Sequence, residues 1–283
     1  MFEFWNSLPE ELKLECIKWM DLRTRYKLRS ASHTKRNLVS NSQRLFIYNI
    51  RFKNAKDPDG FIVFIMHKWQ TIVDKFAGFK GEEQLKHGAI PFLSFVFQNC
   101  IISKMTFTLS DAHVNVPLTG IETEKPYHIK EIEGSPPIPL SFLQNCVPNS
   151  IQYVRLCYPR VYGQPFPVEE FLNTPALQIT KKWRLHLKDC PDFGVAIAKK
   201  WIEWDVDCKS QLEFYYDEYK KVVQSFLKRF GTVKIVQQTG TMVRFETPNP
   251  NKHMILQWTC GFILAMVSAD LEEKDFKKYI FSP

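Results

Sequence analysis

Glycine is scarce in this sequence, with 11 residues in 283, and no glycine opens a phosphate-cradling loop. Gly78 and Gly81 lack the Lys-Ser/Thr pair that completes a P-loop. There is no Gly-x-Ser-x-Gly turn of the kind that presents a nucleophilic serine. There is no Cys-x-x-Cys spacing either. The seven cysteines are scattered and odd in number, which suits free thiols in a reducing compartment. Asn-x-Ser/Thr sequons are missing, and Met1-Phe2-Glu3 does not begin a basic-then-apolar leader. The longest apolar runs, Phe92 to Phe97 and Phe262 to Val267, are far too short to cross a bilayer as helices. These absences point to a cytoplasmic or nuclear protein with no membrane partner.

Apolar content of 45% and aromatic content of 14% fit a folded chain able to bury a sizeable core, as one large domain or two modest ones. The net charge of +8 is unevenly placed. Residues 1–56 hold 12 Lys/Arg against 5 Asp/Glu, and residues 57–283 hold 26 against 25. The basic character therefore belongs to the opening segment, densest at Arg23, Arg25, Lys27, Arg29, Lys35 and Arg36. Such a patch can meet nucleic acid, an anionic membrane or an acidic protein, or simply keep a helical face in solution.

Ser7 to Val39 carries the most specific pattern. Ser7 precedes Leu8-Pro9-Glu10, so a helix capped by Ser7 with Pro9 in its first turn is predicted. Glu10, Glu11 and Glu15 suit the positive end of that helix. Leu12, Cys16, Trp19 and Met20 recur at helical spacing as one apolar face, with Ile17 beside it and Leu14 on the other side. A helix apolar on two sides packs one of them inside the chain and leaves the other for a partner. Thr24 opens a second helical run with Tyr26, Leu28 and Ala31. Ser32 caps a third with Leu38 and Val39. Three short helices bury little surface alone, so the unit needs cover from the rest of the chain or from another protein.

Leu8-Pro9-x-Glu11-Leu12, Ile17, Met20-Asp21, Tyr26, Leu28, Ser32 and Leu38-Val39, in that order and without a gap, resemble an F-box. The chain departs from that pattern at Lys35, where many F-boxes carry Trp, and at Ala31, where many carry a larger aliphatic. The resemblance implies a three-helix module over residues 1–45. That module would dock on an Skp1-type adaptor and, through it, a cullin, in an SCF-type (Skp1–cullin–F-box) ubiquitin ligase. It implies that Leu8, Pro9, Leu12, Ile17, Met20, Tyr26 and Leu28 are the docking set or its immediate support. It also implies a non-catalytic adaptor without cofactor or metal, whose residues 46–283 recognise a protein target. Skp1-type adaptors tend to be acidic, which makes an acidic protein the economical partner for the basic segment. The alternative is a nucleic-acid-binding protein that uses the same helices.

Beyond residue 45, Phe46 to Phe52 reads as a strand or the end of a helix. Phe61 to Phe76 reads as a strand followed by a helix, and Lys80 to Gly88 as a loop. Helical runs then precede strand-like runs: Phe92 to Gln98 before Met105, Phe107 and Leu109; Leu140 to Leu143 before Ile151 and Tyr153; Val168 to Leu172 before Trp183, Leu185 and Leu187; Val195 to Trp201 before Leu212, Phe214 and Tyr216. The strand runs alternate with period two. From Val154 to Leu185 to Phe214 the interval is about 30 residues, within the range of solenoid repeats. An irregular leucine-rich-repeat-like α/β domain is expected, with a proline-rich loop at Gly134 to Pro139. The competing expectation is a non-repeating α/β domain. Tyr216 to Phe230 reads as a helix. Val233 to Val236, Met242 to Glu246 and Met254 to Trp258 read as strands, with a hairpin turn at Pro248-Asn249-Pro250-Asn251. Residues 270–280 read as a closing helix. Trp201-Ile202, the strand Leu212 to Tyr216 and Arg244-Phe245 with its polar turn resemble the variable recognition domains that follow F-boxes in the expanded nematode families.

Catalytic chemistry finds little support. His186 and Cys190 are not followed by further metal ligands. Asp111 and His113 have no nucleophile elbow to serve. Glu82-Glu83, Glu169-Glu170 and Glu272-Glu273 are adjacent in sequence and so do not face each other on a helix. Tyr158, Tyr162 and Phe166 lie around Pro159 and Gly163, where loop aromatics can anchor a partner or pack locally. The residues that would contact a target are not legible.

Overall fold

In a computed structural model, which describes residues 4–54, 61–67, 70–76, 89–108, 121, 125–135, 140–158, 167–187, 192–215, 219–230, 234–258 and 261–276, the chain is mixed α/β. Three helices come first, α1 (Glu10–Trp19), α2 (Leu22–Ala31) and α3 (His33–Asn41). Then follow β1 (Leu45–Asn54), β2 (Phe61–His67), β3 (Gln70–Phe76), α4 (Ala89–Asn99), β4 (Cys100–Thr108), β5 (His128–Ser135), α5 (Leu140–Gln144), β6 (Tyr153–Tyr158), α6 (Val168–Leu172), β7 (Lys182–Leu187), α7 (Phe193–Glu203), β8 (Gln211–Tyr215) and α8 (Tyr219–Phe230). The strands β9 (Ile235–Gln238), β10 (Met242–Glu246), β11 (Lys252–Trp258) and β12 (Phe262–Ser268) complete the order. All twelve strands share one sheet, β3-β2-β1-β4-β5-β6-β7-β8-β12-β11-β10-β9.

The six strands β1, β4, β5, β6, β7 and β8 are parallel, and each lies beside the next parallel strand in the chain. Crossovers between parallel strands are right-handed, so a sheet that advances in one direction collects its helices on one face. The sequence carries a matching spacing: Ile47-x-x-Ile50-x-Phe52, Ile102-x-x-Met105-x-Phe107, Ile129-x-x-Ile132-x-Gly134, Ile151-x-x-Val154-x-Leu156 and Thr180-x-x-Trp183-x-Leu185. The residues at those positions are buried apart from the half-buried Gly134. Register aligns them: Ile50, Met105, Ile132, Val154, Trp183 and Leu212 stand side by side across the sheet. Thr180 is the polar member of the series. Its hydroxyl donates to the Ile151 carbonyl at 2.7 Å, while the Trp183 indole donates to the Thr180 carbonyl at 2.8 Å. The helices close over this face, with Phe171 of α6 edge-on to Trp183 at 5.8 Å and Gly194 of α7 against the Phe214 ring. Each large apolar side chain buried here contributes about 1.5–3 kcal/mol.

One of the two expected N-terminal caps shifts. Ser7 does not cap α1; its hydroxyl donates to the Phe4 carbonyl and Pro9 stands at the N-cap. The second helix is capped by Asp21, whose carboxylate accepts from the Thr24 amide at 2.8 Å. That bond lowers the Asp21 pKa. Ser32 caps α3 as expected, accepting from the Lys35 amide. The helices pack on the sheet layer through Ile17, Leu22, Leu38 and Val39, which belong to one continuous core with Leu45, Ile50, Phe95 and Trp183. The expected boundary after residue 45 falls one residue into β1.

Gln70 to Phe76, expected to be helical, is instead β3, hydrogen-bonded to β2 from His67↔Gln70 to Phe61↔Phe76. β5 and β12 are strands that alternation did not reveal. The closing helix expected over 270–280 is a short 3-10 turn at Glu273–Asp275, and residues 277–280 lie outside the described residues. Lys80 to Gly88 and Pro136 to Pro139 also lie outside them. The hairpin at Pro248 to Asn251 is present between β10 and β11.

At the C-terminal end the sheet is covered on both faces. Phe226 and Phe230 of α8 pack on Phe245. On the other face Met242, Ile255, Ala265, Val267 and Phe276 form a second small core. Arg244 is buried at its centre. It donates to the carbonyls of Leu271 (3.0 Å), Ser268 (3.2 Å) and Ala269 (2.8 Å), and its guanidinium lies 5.3 Å from the Phe276 ring centroid.

Two substitutions test these packing claims in urea denaturation. Gly134 has φ +141°, and a Cβ there would lie 2.3 Å from the Phe107 carbonyl oxygen. Gly134→Ala is expected to lower stability by more than about 1 kcal/mol, and an unchanged midpoint would contradict the strain. Arg244→Ala strands three carbonyls and is expected to cost about 2–4 kcal/mol.

Candidate functional site

Two surfaces stand out. The first is α1. Leu12, Cys16 and Trp19 sit four and three residues apart, on one side of the helix, and all three are exposed, Leu12 at 52% and Trp19 at 82%. Ile17 on the opposite side is fully buried, and Leu14 is half-buried against the core. Phe4, before the helix, is 80% exposed. A Glu15–Lys18 ion pair at 2.6 Å borders the exposed apolar strip.

The seven expected docking residues divide between surface and support. Pro9 and Leu12 face solvent, and Leu8, Met20 and Leu28 are half-buried against the core. Ile17 is interior. Tyr26 lies against Phe92 and Phe95, with ring centroids at 5.2 and 5.4 Å. Ile17 and Tyr26 therefore hold α1 and α2 against the core. Trp19 and Phe4, outside that set, are the most exposed large apolar groups among the described residues. The helical spacing from Leu12 to Trp19 was the signal for the tryptophan.

The basic cluster divides too. Arg23, Lys27 and Arg36 are exposed, while Arg25 is buried. Arg25 donates to the carbonyls of Met20 (3.3 Å) and Gln43 (2.8 Å) and to the Ser42 hydroxyl (3.4 Å). Burial lowers its pKa from the ordinary arginine value. It joins the end of α1 to the segment before β1. Arg29, His33, Arg36 and Lys125 line a groove of about 380 Å³ beside Asn37, Asn41, Gln98 and Asn99.

The second surface is the open face of the parallel sheet. The residues between the buried positions line up by register as Arg51, Thr106, Glu133, Arg155, Arg184 and Glu213. The next row toward the strand ends contains Cys157, His186 and Tyr215, all exposed. Thr106, Glu133, Arg155 and Arg184 of the first row and all three residues of the second border a cavity of about 500 Å³. Arg184 makes two bonds to Glu213, at 2.5 and 3.0 Å, which raise the Arg184 pKa. Lys104 pairs with Glu133 at 2.9 Å. Arg155 has no ion-pair or hydrogen-bond partner among the described residues. Tyr153 sits among these charges, and burial, reinforced by Glu133, pushes its hydroxyl pKa up. At the other end of the face, Phe46 and Tyr48 form an exposed aromatic pair at 5.1 Å, with the Lys130 ammonium 5.8 Å from the Phe46 ring centroid.

His186 lies 5.8 Å from the Tyr215 ring on the open face. Asp111, His113, Glu82, Glu83, Cys190, Tyr162 and Phe166, together with the side chain of Tyr158, lie outside the described residues. Glu272 pairs with Lys274, and Glu273 accepts from Gln237. Burial raises the Cys100 and Cys146 thiols to about 12, so neither supplies a thiolate near neutrality. Among the described residues no group of three or more His, Cys, Asp or Glu is placed to hold a metal, and no helix is long and apolar enough to cross a membrane.

The position of Arg25 gives a prediction. Arg25→Ala should lower stability by about 1–3 kcal/mol, as loss of buried charge-assisted hydrogen bonds does. Any effect on nucleic-acid retention should come from Arg23 and Lys27. Thermal melts alongside binding measurements separate the two. Comparison with known proteins finds no counterpart: no family model, no curated protein and no solved structure matches the chain.

Proposed function

We propose that the protein is a substrate-recognition adaptor of an SCF-type ubiquitin ligase, with α1–α3 as an F-box and the sheet domain as the target-binding part. The observation that carries this reading is the two-sided character of α1. Ile17 is spent on the chain's own core, while Leu12, Cys16 and Trp19 form an apolar strip open to solvent. Apolar surface of that kind is typical of a site that another protein covers. Leu8, Pro9 and Leu12, from the Leu-Pro-x-Glu-Leu start, lie at or near the surface and would meet an Skp1-type adaptor directly, with Trp19 extending the contact.

The apolar-x-x-apolar-x-apolar spacing and the strand-by-strand advance of the parallel sheet resemble a leucine-rich repeat. In that reading the open face is where a target binds. The protein performs no chemistry of its own. It raises the effective concentration of target lysines near a conjugating enzyme recruited through the cullin.

Removing residues 1–45 is a poor test, because it would uncover Phe92 and Phe95, which Tyr26 packs against. Point variants are cleaner. Leu12→Asp with Trp19→Ala should abolish co-purification with an Skp1-type adaptor while the melting temperature stays near that of the parent, since exposed positions shift stability by less than about 0.5 kcal/mol. Retained binding would sink the F-box reading. The second reading, nucleic-acid binding by the N-terminal helices, is carried by the groove beside Arg29, Arg36 and Lys125. It requires retention on nucleic acid at low salt, falling steeply as salt rises and on neutralising Arg23, Lys27 and Arg36.

A further inference from the structure

We propose that the cavity on the open sheet face seats one Asp or Glu side chain from an extended segment of a protein target, with Arg155 as its anchor. This rests on the reading of that face as the target-binding surface, and goes further by assigning the chemistry recognised.

Two of the three charged side chains that line the cavity are committed. Arg184 is clamped by Glu213 through two hydrogen bonds, and Glu133 is held by Lys104. Register places Arg155 between these pairs, beside Glu133 on β5 and Arg184 on β7. It is exposed and lines the cavity. Both neighbouring charges are already neutralised, so among the described residues that line the cavity one positive charge is left uncompensated. A guanidinium meets a carboxylate through two parallel hydrogen bonds, and one carboxylate balances the charge.

A phosphate dianion fits less well. It would bring a second negative charge that no other uncommitted cation among the described lining residues meets, with Glu133 beside Arg155 on β5. The cavity volume of about 500 Å³ exceeds what one acidic side chain fills. Neighbouring residues of the bound segment would therefore lie over Tyr215 and His186, whose rings stand 5.8 Å apart at the rim. Thr106 and Thr108 are turned to the chain itself, donating to Asn49 Oδ1 and to the Phe52 carbonyl, so they do not compete with Arg155 for an acceptor.

The test is selection of a phage-displayed library of random linear peptides on the full chain, with the same selection on Arg155→Gln and Arg155→Glu. Arg155 is exposed, and both variants should melt with the parent. The parent should enrich peptides that share one Asp or Glu. Synthetic copies should lose roughly tenfold or more in affinity, as expected for a lost charge-assisted pair, when that residue becomes Gln or when Arg155 becomes Gln. Arg155→Glu should enrich Lys or Arg at the same peptide position. Selected peptides that bind Arg155→Glu as tightly as the parent overturn the proposal while leaving the face as a target surface. So do peptides that bind more tightly with phosphoserine in place of the acidic residue. If no peptide is retained by the parent, the target-surface reading falls as well. Adaptor docking by α1 is read in a separate measurement and stands or falls apart from both.

Discussion

The pleat of the parallel sheet is the constraint on which the rest depends. Side chains along a strand alternate between faces, and slipping a strand by one residue would turn its whole apolar set outward. The row Ile50, Met105, Ile132, Val154, Trp183 and Leu212 is buried under the helices, so the register of all six strands is fixed together. Once fixed, Arg51, Thr106, Glu133, Arg155, Arg184 and Glu213 have only the other face to occupy. The polar surface is thus a consequence of the core.

Two buried arginines do similar work at opposite ends of the fold. Arg25 ties the end of α1 to the segment before β1, and Arg244 holds the last described turn of the chain against the back of the sheet. Both bond mainly to backbone carbonyls, the acceptors left over where regular structure stops. Five donors on a planar group suit that task better than a lysine ammonium would. A polar clamp of the same kind joins the hairpin turn to the segment just after α7, where Lys252 donates to the Asp205 and Val206 carbonyls.

Much of this order was legible beforehand. The helix-then-strand alternation placed α4 with β4, α5 with β6, α6 with β7 and α7 with β8, and the Pro248 to Asn251 turn placed the hairpin. The failures have physical causes. Gln70 to Phe76 has Ile72, Val73 and Phe76 at helical spacing, but pairing with β2 overrode that local pattern, as tertiary context does. β5 carries Lys130, Glu131 and Glu133, so a polar open face hid its two buried isoleucines. The repeat was matched through Val154, Leu185 and Phe214, whereas register joins Val154, Trp183 and Leu212, each 29 residues from the last. Positions two apart share a face, so both rows look apolar and only hydrogen bonding tells them apart. On α1 the spacing from Leu12 to Trp19 showed the exposed strip, but Trp19 was left out of the docking set because the pattern the segment resembles passes from Ile17 to Met20 without it. The ion pairs that leave Arg155 alone on the open face depend on neighbouring strands far apart in sequence, and no local pattern encodes them.

The join between α3 and β1 is three residues long, Ser42 to Arg44, and Arg25 bonds to two of them. That leaves no slack between the N-terminal helices and the sheet. Whatever α1 holds and whatever the open face holds are carried on one stiff frame, so the separation between them is a built-in ruler length rather than an average over linker conformations. In the adaptor role proposed above, a lysine on a bound target would come within reach of a neighbouring enzyme only if it fell inside a fixed arc set by that frame. Lengthening the Ser42–Arg44 join would blur the ruler while leaving both surfaces intact.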